Sequence, residues 1–583
     1  MYFCTEIQFR QTMKYKILLL FPLFLLISTH AVAGLWLFKD RKSDYVIVLP
    51  EDASVSERIA ANELSDMLTR ISGATLKVTQ TPASKNIFVG WTAATGVIRP
   101  QAEDESYTYK TIGSNLHIYG GSNRGTMYGV YAFLERELGV RWLTSEVTHM
   151  PKVRQYELPQ LNHSEHPAIR QRLDFCYDAL KHDEWVVHNL LNAQYPHSKT
   201  LYGNMDTYWG IHTFKVLIPP EKYFKSHPEY FSLYKGARSD KAQLCLSNAE
   251  MRRELIKNLK EIISTRPGYW CYDVSQNDNS FPCECRSCKQ LVKKYGGESG
   301  AIIWFVNQVA GEIKQDYPDK LIGTFAYRYT RHAPQSRIKP ADNVVIRLCD
   351  IECCMAHGLE QCEQNQSFLD DLKDWQKKTR NIYIWDYTTG FLNYLLPFPN
   401  FDVLAENFRL FSRSNVIGVM EEGAHNAPWA EFSELKQWLI ANLLWNPYQN
   451  VDSLASIFIN DYYGAAAPHV RRYYNLCKQQ IGRDVHFTVR IDWNNGIYTD
   501  KFTTDATIII QQALAAVRKD SDEYKRVQRI AAQIYYLRLR KNGLQAVTDG
   551  TLQKLKDVVA KDNTIIAEIG MTLEELLKKL KYR

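Results

Sequence analysis

The 583-residue chain lacks the short motifs that mark the commonest enzyme chemistries. It has no GxSxG nucleophile elbow, no HExxH zinc helix, no phosphate-binding P-loop and no dinucleotide fingerprint, which argues against each of those mechanisms. It also has little net charge, +7 from 71 basic and 64 acidic residues. That charge is spread along the chain, and even the Lys-rich stretch from Leu577 to Arg583 is mixed with leucine. No nucleic-acid partner is expected. Beyond the first thirty residues no apolar run is long enough to span a bilayer.

The most apolar run lies at the N-terminus. Lys14 and Lys16 precede an apolar stretch, Ile17 to Ile27, and Ala31-Val32-Ala33 follows as a small-x-small cleavage site. Residues 1–33 read as a signal peptide, with Met13 the natural start and a mature chain beginning near Gly34. The run is short for a membrane anchor, and no cysteine follows it at a lipobox position. The expectation is an exported protein of the periplasm, cell surface or medium.

Of twelve cysteines, eleven follow that segment. Cys283, Cys285 and Cys288 form one group; Cys349, Cys353, Cys354 and Cys362 form another. A zinc site needs four ligands, and no histidine or fourth cysteine follows the first group at standard spacing, so neither metal nor cofactor is expected. One or two disulfides, for example pinning the loop after Asp278, suit an exported protein better. An odd count leaves at least one thiol free.

Aromatics, by contrast, are abundant: 13 Trp and 35 Tyr, with 45% hydrophobic residues overall. Ring faces stack on sugar C–H surfaces, although they also fill cores. From Tyr45 strand and helix alternate. In SERIAANELSDMLTRISG, residues Ile59, Leu64, Met67, Leu68 and Ile71 share one helical face, with Ser54 or Ser56 to cap it and Gly73 to stop it. Residues 35–160 therefore read as a small α/β domain.

A longer alternation occupies 165–450. Candidate strands are IRQRLDFCY, a short piece near Asn192, a segment from Trp209 to Phe214, QLCLS, GYWCYDVS, LIGTFAY, VVIRLCD, NIYIWDY and VIGVMEE. Apolar strands separated by amphipathic helices predict parallel βα units and a (β/α)8 TIM-like barrel, with an open doubly wound sheet as the alternative. Residues 451–583 read as a helical domain with a packing role.

In such a barrel the chemistry sits past the C-terminal ends of the strands. There the sequence places Gln276-Asn277-Asp278-Asn279, Arg328, Asp350 with Glu352, Asp386-Tyr387, and Glu421-Glu422 followed by His425. Several carboxylates on one rim suit glycosidic cleavage, in which one acid protonates the leaving oxygen and a second group acts as base, nucleophile or orienter. Neighbouring side chains on a strand point oppositely, so one of Glu421 and Glu422 faces the site; Glu421 is taken first. Asp278 has an Asx-turn as its bland alternative. Trp385, Asp386, Tyr387, Tyr327 and His425 are candidate sugar contacts, with His212 and Arg172 behind them.

ERIAANELSDMLTRISGATLKV resembles the small domain that precedes the barrel in α-glucuronidases and β-hexosaminidases. GTMYGVYAFLERELGVRWLT, VSQNDNSFPCECRSC and VIGVMEEGA resemble a family once described as a domain of unknown function, now glycoside hydrolase family 163. That resemblance implies an endo-β-N-acetylglucosaminidase that cuts the GlcNAc-β-1,4-GlcNAc core of complex N-glycans. It also suggests substrate-assisted retaining catalysis, in which the 2-acetamido group attacks the anomeric carbon. Asn277 and Asp278 would then orient the acetamide and a glutamate of the eighth strand would be the acid; the reverse assignment stays open. The competing expectations are an exo-acting or α-glucuronidase-like glycosidase on other polysaccharides, and a non-catalytic glycan-binding protein.

Overall fold

The computed structural model describes residues 35–92, 104–121, 124–193, 202, 208–562 and 564–580. The expected signal peptide, residues 1–33, lies outside the described residues. No helix among them is long and apolar enough to cross a membrane.

The N-terminal unit is a six-stranded sheet built from β1 (Val46–Val48), β2 (Val78–Thr79), β3 (Asn86–Val89), β4 (Tyr107–Ile112), β5 (Asn115–Gly120) and β6 (Asn162–Glu165), in the order β6-β4-β5-β3-β1-β2. Helices α1 (Val55–Ser72) and α2 (Gly125–Leu138) pack together over its core. Ser54 caps α1 as expected: its hydroxyl accepts from the Glu57 N–H, and Glu57 accepts from the Ser54 N–H. This reciprocal bonding satisfies two otherwise orphaned donors. Gly73 ends the helix at φ 77°, a left-handed conformation that suits a residue without Cβ.

The second unit holds seven parallel strands: β7 (Gln171–Phe175), β8 (Tyr208–Trp209), β9 (Cys271–Asp273), β10 (Leu321–Ala326), β11 (Val344–Cys349), β12 (Ile382–Tyr387) and β13 (Gly418–Glu422). Their order is β7-β13-β12-β11-β10-β9-β8. The longer helices of this unit are α3 (Ala249–Thr265), α4 (Arg286–Tyr295), α5 (Glu298–Asp316), α6 (Gln366–Gln376), α7 (Phe401–Arg413) and, after the last strand, α8 (Ser433–Trp445). Strands covered on both faces are predominantly apolar; every residue of β11 and β12 is buried, Arg347 and Asp386 being their charged members.

Among the described residues the expected eight-stranded closure is not seen; the sheet is a curled half-barrel with β7 and β8 at its edges. The strand expected near Asn192 is reduced to one backbone bond, Ala193 N–H to Arg172 O at 3.3 Å. Beside it the Asn192 side-chain oxygen accepts from the Arg172 N–H at 2.9 Å, so a side chain replaces the ladder that a second strand would supply. QLCLS likewise contributes only a single bridge, Leu244 to Phe231.

The longer C-terminal helices are α9 (Val451–Tyr463), α10 (Ala467–Lys478), α11 (Asp500–Ala515), α12 (Asp522–Asn542), α13 (Thr551–Asp562) and α14 (Leu573–Lys579). One apolar core runs without a break from the parallel sheet into these helices, whereas the N-terminal unit has its own. At about 1.5–3 kcal/mol for each fully buried aliphatic or aromatic side chain, this shared core holds the C-terminal segment firmly against the strand ends.

Two expectations are corrected here. All eleven described cysteines are free, so the anticipated disulfide is not formed. Arg172 does not reach the strand-end cleft. Fully buried, it bonds Glu105 at 2.6 Å and the carbonyls of Leu190, Ile169 and Arg170, and lies 5.1 Å from the Trp445 ring. It bolts the N-terminal unit to the half-barrel, because a buried guanidinium must spend its donors on nearby acceptors.

Candidate active site

A cleft of about 450 Å3 opens at the C-terminal ends of the strands. Parallel register sets its floor level: Glu422 on β13 lies beside Tyr387 on β12 and Phe175 on β7, while Glu421 lies beside Asp386 and Asp174. Alternation then sorts these side chains. Glu422, Tyr387, Phe175, Trp385 and Cys349 line the cleft. Asp386 turns away and bonds Asn407 of α7 in the helix layer, at 3.2 Å.

The two adjacent glutamates therefore separate in environment. Glu421 is fully buried with neither carboxyl oxygen hydrogen-bonded. Burial, then the charges of Asp386, Asp350 and Asp174, push its carboxyl far above the usual range. Glu422 faces the cleft and accepts from the Trp385 indole N–H at 2.9 Å. Burial and the charge of Glu568 push it up to about 8, against the opposing pull of the Trp385 bond, and Asp278 adds to the rise. At neutral pH Glu422 is mostly protonated, the state a general acid needs.

Asp278 stands in the loop after β9, with its side chain 56% exposed. Tyr327 donates to it at 3.1 Å, and the Arg328 guanidinium lies 3.9 Å away. Asn277, grouped with it in the sequence, is spent on the scaffold. Its amide oxygen accepts from the Lys215 N–H and its amide nitrogen donates to Ala242 O, and it is not among the residues that line the cleft.

The remaining candidates divide the same way. Trp385 and Tyr387 stack at 6.1 Å with an 18° tilt, and Tyr327, His212 and His425 also line the cleft. His212 Nδ1 lies 2.7 Å from the Gln276 carbonyl, so it carries the proton and Nε2 is left as an acceptor; burial holds its pKa low. His425 Nδ1 lies 3.6 Å from Glu422. Asp386 is buried beside Asp350 and takes no part in the cleft wall.

Among the lining residues that the sequence did not flag, Val489, Arg490, Glu568 and Ile569 come from the C-terminal segment. Glu568 sits in a short turn closed by an Ala567–Met571 bridge and is held by bonds with Phe391 and Asn426. Burial and the Asp278 charge raise its carboxyl. No local pattern marks it, since its role comes only from the turn being folded over the strand ends. None of the metal-ligand groupings among the described residues falls in this cleft.

Residues 142–475, more than half of the chain, match the family described as "Domain of unknown function (DUF4838)". The chain belongs to this family. The match does not single out glycoside hydrolase family 163. No curated protein sequence matches this DUF4838 chain. Its fold is similar to that of a GH115 4-O-methyl-α-glucuronidase with specificity for decorated arabinogalactans, at a TM-score of 0.60 and 11% identity, over 92% of this chain and 78% of that one. The protein CpGH84D aligns at a TM-score of 0.48 and 10% identity, over 92% and 95% of the two chains. A Flavobacterium johnsoniae chitobiase, FjGH20, aligns at 0.46 and 12%, over 93% and 96%. On the GH115 likeness, the fold of the DUF4838 chain is glycoside-hydrolase-like.

Proposed function

We propose that this DUF4838 protein is an exported glycoside hydrolase working at the strand-end cleft. The observation that carries this reading is a buried carboxylic acid, Glu422, held protonated at neutral pH in the same aromatic-walled cleft as an exposed acidic side chain, Asp278. Glu422 donates its proton to the glycosidic oxygen as the bond breaks. Asp278, oriented by Tyr327, supplies the second role, holding a substrate amide or activating water. Trp385 and Tyr387 offer ring faces to the sugar, and His212 Nε2 accepts from a hydroxyl.

For substrate, the resemblance to glycoside hydrolase family 163 favours the GlcNAc-β-1,4-GlcNAc core of complex N-glycans. Asp278 would then bond the 2-acetamido N–H in a substrate-assisted retaining reaction. A second reading has support from Arg328 and Arg490, which line the cleft and could pair with a uronate carboxylate, as a glucuronidase requires.

The deciding experiment incubates the protein with a complex N-glycoprotein, a high-mannose glycoprotein, and xylan and pectin digests, with products read by mass spectrometry. Glycans released with a single terminal GlcNAc support the first substrate. Uronic acid release supports the second. Binding without cleavage of any substrate overturns the enzymatic reading.

A further inference from the structure

Two groups of cysteine and histidine outside the cleft have the geometry of metal-bound ligand sets. In the first, Cys245, Cys283, Cys285 and Cys288 bring four sulfurs within 4.8 Å of one another. Cys245 Sγ is 3.8 Å from both Cys285 Sγ and Cys288 Sγ. Four thiolates around tetrahedral zinc, at about 2.3 Å each, lie about 3.8 Å apart. A disulfide needs about 2.05 Å. The local spacing lacked a fourth ligand because Cys245 precedes the C-x-C-x-x-C run and is joined to it only by the fold.

The surroundings are those of thiolates. Backbone N–H groups donate to sulfur from Leu233 to Cys283, at 3.3 Å, and from Cys288 to Cys285, at 3.4 Å. The Arg238 guanidinium stands 3.9 Å from Cys283 Sγ. Cys285 caps α4, so the helix N-terminus adds positive potential. Such donors and charges offset the negative charge of a four-thiolate set and fix its orientation.

The second group is Cys354, His357, Cys362 and His486, also within 4.8 Å. Cys354 Sγ lies 3.3 Å from His486 Nδ1 and 3.7 Å from His357 Nδ1, and Cys362 Sγ lies 3.6 Å from His486 Nδ1. Tetrahedral zinc places sulfur and nitrogen ligands about 3.5–3.6 Å apart. His357 Nε2 meets the Gly482 carbonyl at 3.2 Å, the outer bond that sets a metal-binding imidazole's tautomer.

We propose that each group binds one structural zinc ion. Four protein ligands close each site, which leaves no position for substrate or water. The first ion pins both flanks of the Asp278 loop. Cys245 lies two residues beyond Gln243, which bonds Asn277 O at 2.9 Å and Asn279 O at 2.8 Å, and Cys283 to Cys288 close the loop's far side. The second ties the loop after β11 to the stretch that carries Val489 and Arg490 into the cleft. Zinc here positions the active site and takes no part in bond cleavage.

The test is elemental analysis of the full chain, purified without a metal-affinity step, together with alkylation of its cysteines under denaturing, chelating conditions. The expected result is about two zinc per chain and every thiol alkylated. Cys245→Ser should lose one equivalent, Cys354→Ser the other, and cobalt exchanged into the parent should show intense tetrahedral thiolate absorption. If a variant does not fold, the parent's metal content and alkylation pattern still decide. Zinc far below stoichiometry, iron in its place, or disulfides among these cysteines would overturn the proposal; retention of one equivalent alone overturns whichever site its variant fails to affect.

Discussion

The indole N–H of Trp385 donates to Glu422 Oε2 at 2.9 Å, across two adjacent parallel strands. This bond favours the ionised carboxylate and so opposes the burial that holds Glu422 protonated. The balance sets the upper end of the working pH range.

Glu422→Gln should lower kcat/KM on a cleaved glycan by about 10²–10⁴-fold, the usual contribution of a general acid, with little change in the folded state. In the parent, activity should fall as pH rises through about 8, where Glu422 loses its proton. Trp385→Phe removes the bond that favours ionisation, so its alkaline limb should move to higher pH. A limb that does not move would remove Glu422 from the acid role.

Asp278→Asn and Glu568→Gln should move the same limb the other way. Each removes a negative charge that raises the Glu422 carboxyl, Glu568 being the larger. Asp278→Asn should also lower kcat/KM at every pH, whereas Glu568→Gln should act mainly on the profile. Steady-state kinetics across pH distinguishes the two.

Arg172→Ala should destabilise the protein by about 3–5 kcal/mol, because it removes the cation paired with Glu105 and a donor from each of the Leu190, Ile169 and Arg170 carbonyls at the boundary between units. Thermal unfolding should begin at a lower temperature, and limited proteolysis should release the N-terminal unit first. An unchanged melting profile would show that this contact is replaceable.

Asp174 is buried, and its carboxyl is pushed up to about 8 by desolvation. The unfolded chain ionises this group near pH 4, before the folded one does, so its contribution is complete below that pH and is lost as pH rises toward 8. Asp174→Asn removes the titration. Its melting temperature should decline less than the parent's between about pH 5 and pH 8.

Much of this architecture was legible in short segments. The α1 helix carries its own cap, apolar face and glycine stop, and strands such as VVIRLCD are mostly apolar because both faces are covered. The rim positions also follow from strand ends, which point to Asp278, Trp385, Tyr387 and the Glu421-Glu422 pair, although Glu421, taken first, is the one buried away from the cleft. The closure of the barrel was not legible, since Asn192 bonds to β7 through its side chain and not as a strand. Asn277 and Asp386 look no different in sequence from Asp278 and Glu422, yet both bond the scaffold and neither lines the cleft.

Local periodicity and capping set which residues form strands and helices, because those depend on neighbours a few positions apart. Which of two adjacent glutamates faces the cleft depended on register between strands. That Glu568 joins it, and that Cys245 completes a set of four thiols with Cys283, Cys285 and Cys288, depended on contacts between residues far apart in the chain. Such contacts leave no spacing pattern to read, since their geometry arises only when the shared core is packed.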